Sequence, residues 1–132
     1  MAKTIAIVID DPDLIGMMQT VLEAHGFASL PCQPSRLDCQ LEIEHARPDL
    51  VVIDVPLGRP AFTVFDARKL VESLRANPST RDIPIIVCST LEPLVRREMP
   101  NLETLGCGFI EKPFELSAFV GLIERTMRTK AA

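Results

Sequence analysis

Apolar residues in this chain fall into two patterns. Some form short unbroken runs, and the others recur every three or four positions through longer polar stretches. Runs such as Ile5-Ala6-Ile7-Val8-Ile9 and Leu50-Val51-Val52-Ile53 have no alternation. They therefore predict strands buried on both faces. Strands are expected over 4–9, 28–32, 49–54, 84–88 and 108–111. Between them, helical spacing predicts a helix over 12–25, with Leu14, Met18, Val21, Leu22 and His25 on one face and Gly26 as its stop. Further helices are expected over 35–46, where the apolar positions keep no single face, and over 62–76, where Ala67, Leu70, Val71 and Leu74 do. Asn77-Pro78-Ser79-Thr80 reads as a turn. A helix from about 92 should end or kink at Pro100, because an internal proline removes a hydrogen bond and clashes one turn back. The last helix, over 114–129, turns Leu116, Phe119, Val120, Ile123 and Met127 inward.

Five β-α units in series predict an α/β fold, a doubly wound five-stranded parallel sheet with five helices on its two faces. The chain, 1–132, reads as one domain without linker, repeat or low-complexity stretch.

Composition narrows the class. Apolar residues make up 47% and charged residues 24%, with a formal net charge of −4. This mildly acidic balance argues against nucleic acid or an anionic membrane as a direct partner. No apolar run approaches the roughly 20 residues of a membrane-spanning helix, and no signal-peptide pattern opens the chain, so a cytoplasmic location is expected. Cys32, Cys39, Cys88 and Cys107 show no CxxC or zinc spacing. They read as buried or half-buried thiols of a reduced compartment. His25 and His45 stand apart from other ligand types, which suits surface or helix-end roles.

The charged residues at the strand ends carry the chemistry. Asp10 and Asp11 follow the first run, Asp54 the third, and Lys112-Pro113 the fifth. In an open parallel sheet the carboxyl edge is where ligands bind. Unit charges about 4 Å apart repel by roughly 4 kcal/mol at an effective dielectric of about 20. Three clustered carboxylates therefore call for a cation or a proton, and Mg²⁺ suits an oxygen-rich site. Each residue also has a plainer reading. Asp11 before Pro12 fits a helix N-cap. Ser89-Thr90-Leu91-Glu92 fits a capping box, Lys112 could be solvated, and Phe109 could simply pack on the core.

These motifs together resemble the receiver domain of two-component response regulators over nearly the whole chain. The resemblance rests on Asp10-Asp11, Asp54, Ser89 after the fourth strand and Lys112-Pro113-Phe114, supported by the segment from Arg75 to Pro84. It implies a flavodoxin-like sheet of order 2-1-3-4-5 and Mg²⁺-dependent phosphorylation of Asp54. The phosphoryl group would come from a histidine kinase or histidine phosphotransfer protein. Asp11, Asp54 and the Pro56 carbonyl would be metal ligands, with Asp10 acting largely through water. Lys112 would reach the phosphoryl group after a cis peptide bond to Pro113. Ser89 and Phe109 would be switch residues, and Phe109, lacking a hydroxyl, would act through packing. The output would be altered affinity for a downstream protein of unknown identity, with a homodimer left open. The chain reads as a stand-alone receiver, or one cut from a longer chain, that catalyses only its own phosphorylation and dephosphorylation.

Two departures from the family pattern carry information. In Val55-Pro56-Leu57-Gly58-Arg59-Pro60 the proline comes two positions early, which bears on water access and on acyl-phosphate lifetime. Pro100 falls in the helix of the usual output face. A competing reading is a receiver-like interaction module not controlled by phosphorylation. A flavin-binding or hydrolytic enzyme fits poorly. The first β-α turn has Asp10-Asp11-Pro12 where a phosphate cradle needs glycines, and no GxSxG is present.

Overall fold

The computed structural model describes residues 2–34, 38–56 and 62–131. Five strands, β1 (Thr4–Val8), β2 (Ala28–Cys32), β3 (Leu50–Asp54), β4 (Ile85–Ser89) and β5 (Cys107–Glu111), alternate with five helices. These are α1 (Pro12–Ala24), α2 (Cys39–Ala46), α3 (Val64–Ala76), α4 (Pro93–Thr104) and α5 (Leu116–Ala131). All strand pairings are parallel, in the order β2-β1-β3-β4-β5. This is the flavodoxin-like α/β arrangement expected from the sequence.

Successive strand residues point to opposite faces, and the unbroken runs accordingly feed two cores. Ala6, Val8, Val51, Ile53, Ile85 and Val87 pack with Ile43 of α2, Ala67, Val71 and Leu74 of α3, and Val95 and Leu102 of α4. Ile5, Ile7, Leu50, Val52 and Ile86 pack on the other face with Met18 and Leu22 of α1 and Phe119, Val120 and Ile123 of α5. Each fully buried isoleucine or leucine contributes about 1.5–3 kcal/mol through removal from water. Truncating β3 or β4 side chains therefore disturbs one core without touching the other.

Strand β2 is an edge strand and contains Pro31, opposite Ile7. Ala28 N donates to the Lys3 carbonyl, and Ile9 N donates to the Cys32 carbonyl. Even-numbered residues of β2 therefore bond to β1, and the intervening Pro31 faces the open side of the sheet.

Three expectations need correction. His25 does not share the inward face of α1. It is exposed at the C-cap, with its ring Nδ1 3.0 Å from the Val21 carbonyl, and Gly26 follows at φ 85, the left-handed geometry that glycine adopts cheaply. Of the two outcomes expected at Pro100, an end or a kink, the end does not occur, and helix α4 continues to Thr104. Pro100 and Arg96, whose carbonyl loses its helical donor, both lie on the exposed side of the helix. Val95, Glu98 and Leu102 hold the opposite side in the core. The second helix starts at Cys39, with the first expected positions, 35–37, outside the described residues.

Candidate functional site

The sheet order sets Asp10 and Asp11 beyond β1, Asp54 at the end of β3, Ser89 at the end of β4 and Lys112 just past β5. The registers Val8↔Ile53, Asp54↔Cys88 and Ser89↔Glu111 bring these ends level along one edge. Backbone bonds hold them there. Val55 N donates to the Cys88 carbonyl at 2.9 Å, and Lys112 N donates to the Ser89 carbonyl at 2.9 Å.

Lys112 Nζ forms an ion pair with Asp54 Oδ1. β3 and β5 are separated by β4, two interstrand spacings or about 10 Å, so the long lysine side chain reaches across the intervening strand. The Asp54 side chain is 3% exposed and that of Lys112 is 23% exposed. A carboxylate so poorly hydrated needs a compensating cation, and the ammonium supplies it. The solvated-surface alternative for Lys112 is thereby excluded. The Lys112–Pro113 peptide is cis.

Asp11 caps α1, its Oδ1 accepting from Asp13 N at 3.0 Å, with Pro12 as the first helical residue. Its capping role is thus realised. Ser89 is different, since the N-cap of α4 is Glu92. Ser89 belongs to β4, is buried, and donates its hydroxyl to the Thr90 carbonyl at 2.8 Å. The capping-box reading of Ser89 therefore fails, because the helix begins at Pro93. Phe109, opposite Val87, is half-buried and packs against the core on the α3–α4 face.

Among the described residues no three His, Cys, Asp or Glu side chains form a ready-made metal cluster. That does not conflict with Mg²⁺. It keeps several waters and is usually held by one or two carboxylates together with substrate phosphate oxygens. Asp10, Asp11, Asp54 and the Pro56 carbonyl are hard oxygen donors of the kind it takes. Residues 57–61, including Leu57, Gly58, Arg59 and Pro60 of the unusual loop, lie outside the described residues.

Sequence reasoning missed several neighbours. Cys88 is fully buried beside Asp54, and burial pushes its thiol well up from the ordinary value. The negative charge of Asp54 adds to that shift, and Lys112 partly offsets it. The apolar run marked Cys88 as core, but only the register sets it against the acid. A cavity of about 590 Å³ flanks Lys112, bounded by Leu14, Met17 and Met18 of α1 and by Thr90, Pro113 and Phe114. Farther along the face, Glu98 of α4 accepts two bonds from Arg68 of α3, at 3.0 and 3.1 Å, and one from Asn101 at 2.8 Å.

No protein-family model matches the chain. It is 29% identical over 129 residues to the phosphate regulon transcriptional regulatory protein PhoB of Escherichia coli, a match covering 97% of this chain and 53% of that protein. The chain spans between about a quarter and about half the length of the relatives it matches. The signal receiver domain of a signal transduction histidine kinase from Syntrophus aciditrophicus superposes with a TM-score of 0.77 at 25% identity. That match covers 97% of this chain and 92% of that one. The receiver domain of a sensor histidine kinase from Pseudomonas aeruginosa, which has a magnesium ion coordinated in its active-site cleft, shares the fold. Its TM-score is 0.76 at 20% identity, covering 96% of this chain and 98% of that one.

Proposed function

We propose that this chain, which belongs to the receiver-domain family of response regulators, accepts a phosphoryl group on Asp54 and thereby changes its affinity for a protein partner. The observation that carries the reading is the ion pair between Lys112 and the buried Asp54 carboxylate. It sets a nucleophile and a fixed positive charge at the edge of the sheet, where phosphoryl oxygens would gather charge.

In the proposed reaction an Asp54 carboxylate oxygen attacks the phosphorus of a phosphohistidine. A P–O bond forms, the P–N bond breaks, and imidazole leaves, giving an acyl phosphate. Lys112 supplies a point charge to the transferred oxygens. Ser89 exchanges its hydrogen bond to Thr90 for one to a phosphoryl oxygen, giving two arrangements of one hydroxyl. Phe109 repacks with it. Mg²⁺, held by Asp11, Asp54 and the Pro56 carbonyl with Asp10 acting through water, would supply charge neutralisation between carboxylate and phosphoryl oxygens. The phosphodonor is a histidine kinase or a histidine phosphotransfer protein.

The test is intact mass after exposure to acetyl phosphate, with Mg²⁺ and with chelator, beside Asp54→Asn. The expected result is one phosphoryl adduct that requires both Mg²⁺ and Asp54. An adduct that survives Asp54→Asn overturns the nucleophile.

A second reading is an interaction module independent of phosphate, and the same ion pair favours it, since Lys112 already neutralises Asp54. It predicts partner binding unchanged by Asp54→Asn and no adduct from any phosphohistidine donor.

A further inference from the structure

Helix α4 is tied to α3 by charge as well as by apolar packing. Glu98, buried on the inner side of α4, accepts from Arg68 Nη1 through both carboxylate oxygens, at 3.1 and 3.0 Å, and from Asn101 Nδ2 at 2.8 Å. Arg68 is itself placed by its neighbours on α3. Its Nε lies 3.9 Å from Glu72 Oε1, and its guanidinium carbon lies 5.8 Å from the centre of the Phe65 ring. Apolar residues of similar volume often stabilise as well as a buried ion pair does, and the best-attested use of such a pair is to fix register. Three bonds meet on one buried carboxylate, so α4 shifts on α3 only by stretching charge-assisted bonds in a poorly hydrated site.

What that register controls lies at the start of α4. Three residues, Thr90, Leu91 and Glu92, join Ser89 at the end of β4 to Pro93. Arg96, two residues before Glu98 on the same helix, donates from Nε to the Leu91 carbonyl at 2.7 Å. The next carbonyl upstream, that of Thr90, accepts the Ser89 hydroxyl at 2.8 Å. The Ser89 backbone is fixed independently, since it ends β4 and its carbonyl accepts from Lys112 N at 2.9 Å. A buried hydroxyl needs an acceptor, so the position of the Thr90 carbonyl decides whether Ser89 is satisfied in its resting arrangement. A chain of contacts runs from Arg68 through Glu98, along α4 to Arg96, and on through Leu91 and Thr90 to Ser89.

We infer that Arg68 and Glu98 are positioning residues for the Asp54 site, holding α4 so that the Thr90 carbonyl keeps the Ser89 hydroxyl. The inference rests on the reading of Asp54 as phosphoryl acceptor. In that reaction Ser89 must give up Thr90 to reach a phosphoryl oxygen, and the pair opposes the exchange while it locks α4 to α3. Neither residue touches the reacting atoms. Loss of the pair frees the Thr90–Glu92 linker, weakens the competing acceptor for the Ser89 hydroxyl and favours the phosphorylated state.

The test compares wild type with the Arg68→Met, Glu98→Leu double variant, which fills the same space with apolar atoms and leaves Asn101 exposed to water. Ile43→Val, a core change in α2 outside this chain of contacts, reports general destabilisation. Without phosphodonor, three-bond NMR couplings should show one Ser89 χ1 rotamer in wild type and Ile43→Val, and rotamer averaging in the double variant. With acetyl phosphate and Mg²⁺, the donor concentration that gives half-maximal adduct on Asp54 should fall about three- to tenfold in the double variant, and it should stay unchanged in Ile43→Val. Glu98→Gln keeps an acceptor for Arg68 without emptying the site, so it should move both readouts the same way by less. A Ser89 rotamer unmoved in both pair variants, or averaged equally in Ile43→Val, would overturn the positioning role. A wild type that forms no adduct counts against the phosphoryl-acceptor reading instead, and the Ser89 couplings still decide what the pair does.

Discussion

Lys112 reaches past Ser89 and the end of β4 to pair with Asp54 of β3, so a residue outside the sheet neutralises the most buried acid at its edge. The two partners are not equally placed. Asp54 is 3% exposed and Lys112 is 23% exposed, so the carboxylate depends on the pair more than the ammonium does.

That asymmetry sets a prediction for stability. Lys112→Met strands a buried carboxylate and should cost about 3–5 kcal/mol, the usual penalty for removing one partner of a buried pair. Asp54→Asn leaves an ammonium with some access to water and should cost less. The double variant should recover much of the loss. Urea denaturation of the four proteins gives the coupling directly, and strictly additive effects would show that the pair contributes nothing.

Asp11 has a capping role and a proposed metal-binding role, which substitution can separate. Asp11→Ala removes the N-cap of α1 and should cost about 1 kcal/mol. Asp11→Ser keeps a capping oxygen and should retain most of that stability while losing Mg²⁺ affinity. Thermal unfolding reports the cap, and Mg²⁺ titration reports the metal. Equal Mg²⁺ affinity in wild type and Asp11→Ser would remove Asp11 from the proposed ligand set.

The Glu98–Arg68 pair ties α4 to α3, with Glu98 buried and Arg68 about 30% exposed. Arg68→Ala leaves Glu98 with only the Asn101 bond and should destabilise by about 2 kcal/mol, below the full buried-pair cost because Arg68 is partly solvated. Glu98→Gln should cost less, since an amide oxygen can still accept from Arg68. Denaturant midpoints for the two variants test the order.

Cys107 should make stability fall in mild alkali. Burial raises its thiol from 9.0 to about 11, with the Arg75 charge opposing the shift. The raised folded value means that the unfolded chain gives up this proton first. The stabilisation is therefore complete below pH 9 and is lost as pH rises toward 11, at about 1.4 kcal/mol per pH unit. Cys107→Ala should flatten that segment of the stability–pH curve. An unchanged slope would show that another group controls it.

Much of this arrangement was legible in the chain. Unbroken apolar runs mark β1, β3 and β4 because those strands are covered on both faces, and the acids at the ends of β1 and β3 and the lysine after β5 fall at one edge by topology alone. Other features depend on what lies beside a residue in space. Nothing local distinguishes Ser89 as a strand residue from Ser89 as a cap, since the same four residues suit both. His25 shares the spacing of the inward face of α1 yet sits one residue past its end, where the helix has already opened to water. Pro100 is tolerated because its orphaned acceptor faces solvent, a matter of which side of the helix it occupies. The meeting of Arg68 with Glu98 joins separate elements and has no counterpart in periodicity.

The open flank of β2 has a consequence for how copies of this molecule meet. A parallel sheet ends in rows of unused backbone donors and acceptors that invite another strand. On this flank the outward-facing positions include Pro31, which has no N–H to offer. A foreign strand aligned there would find the row interrupted at Pro31 and could not pair along its whole length. The proline therefore acts as a stop against sheet extension and fibre growth from this side.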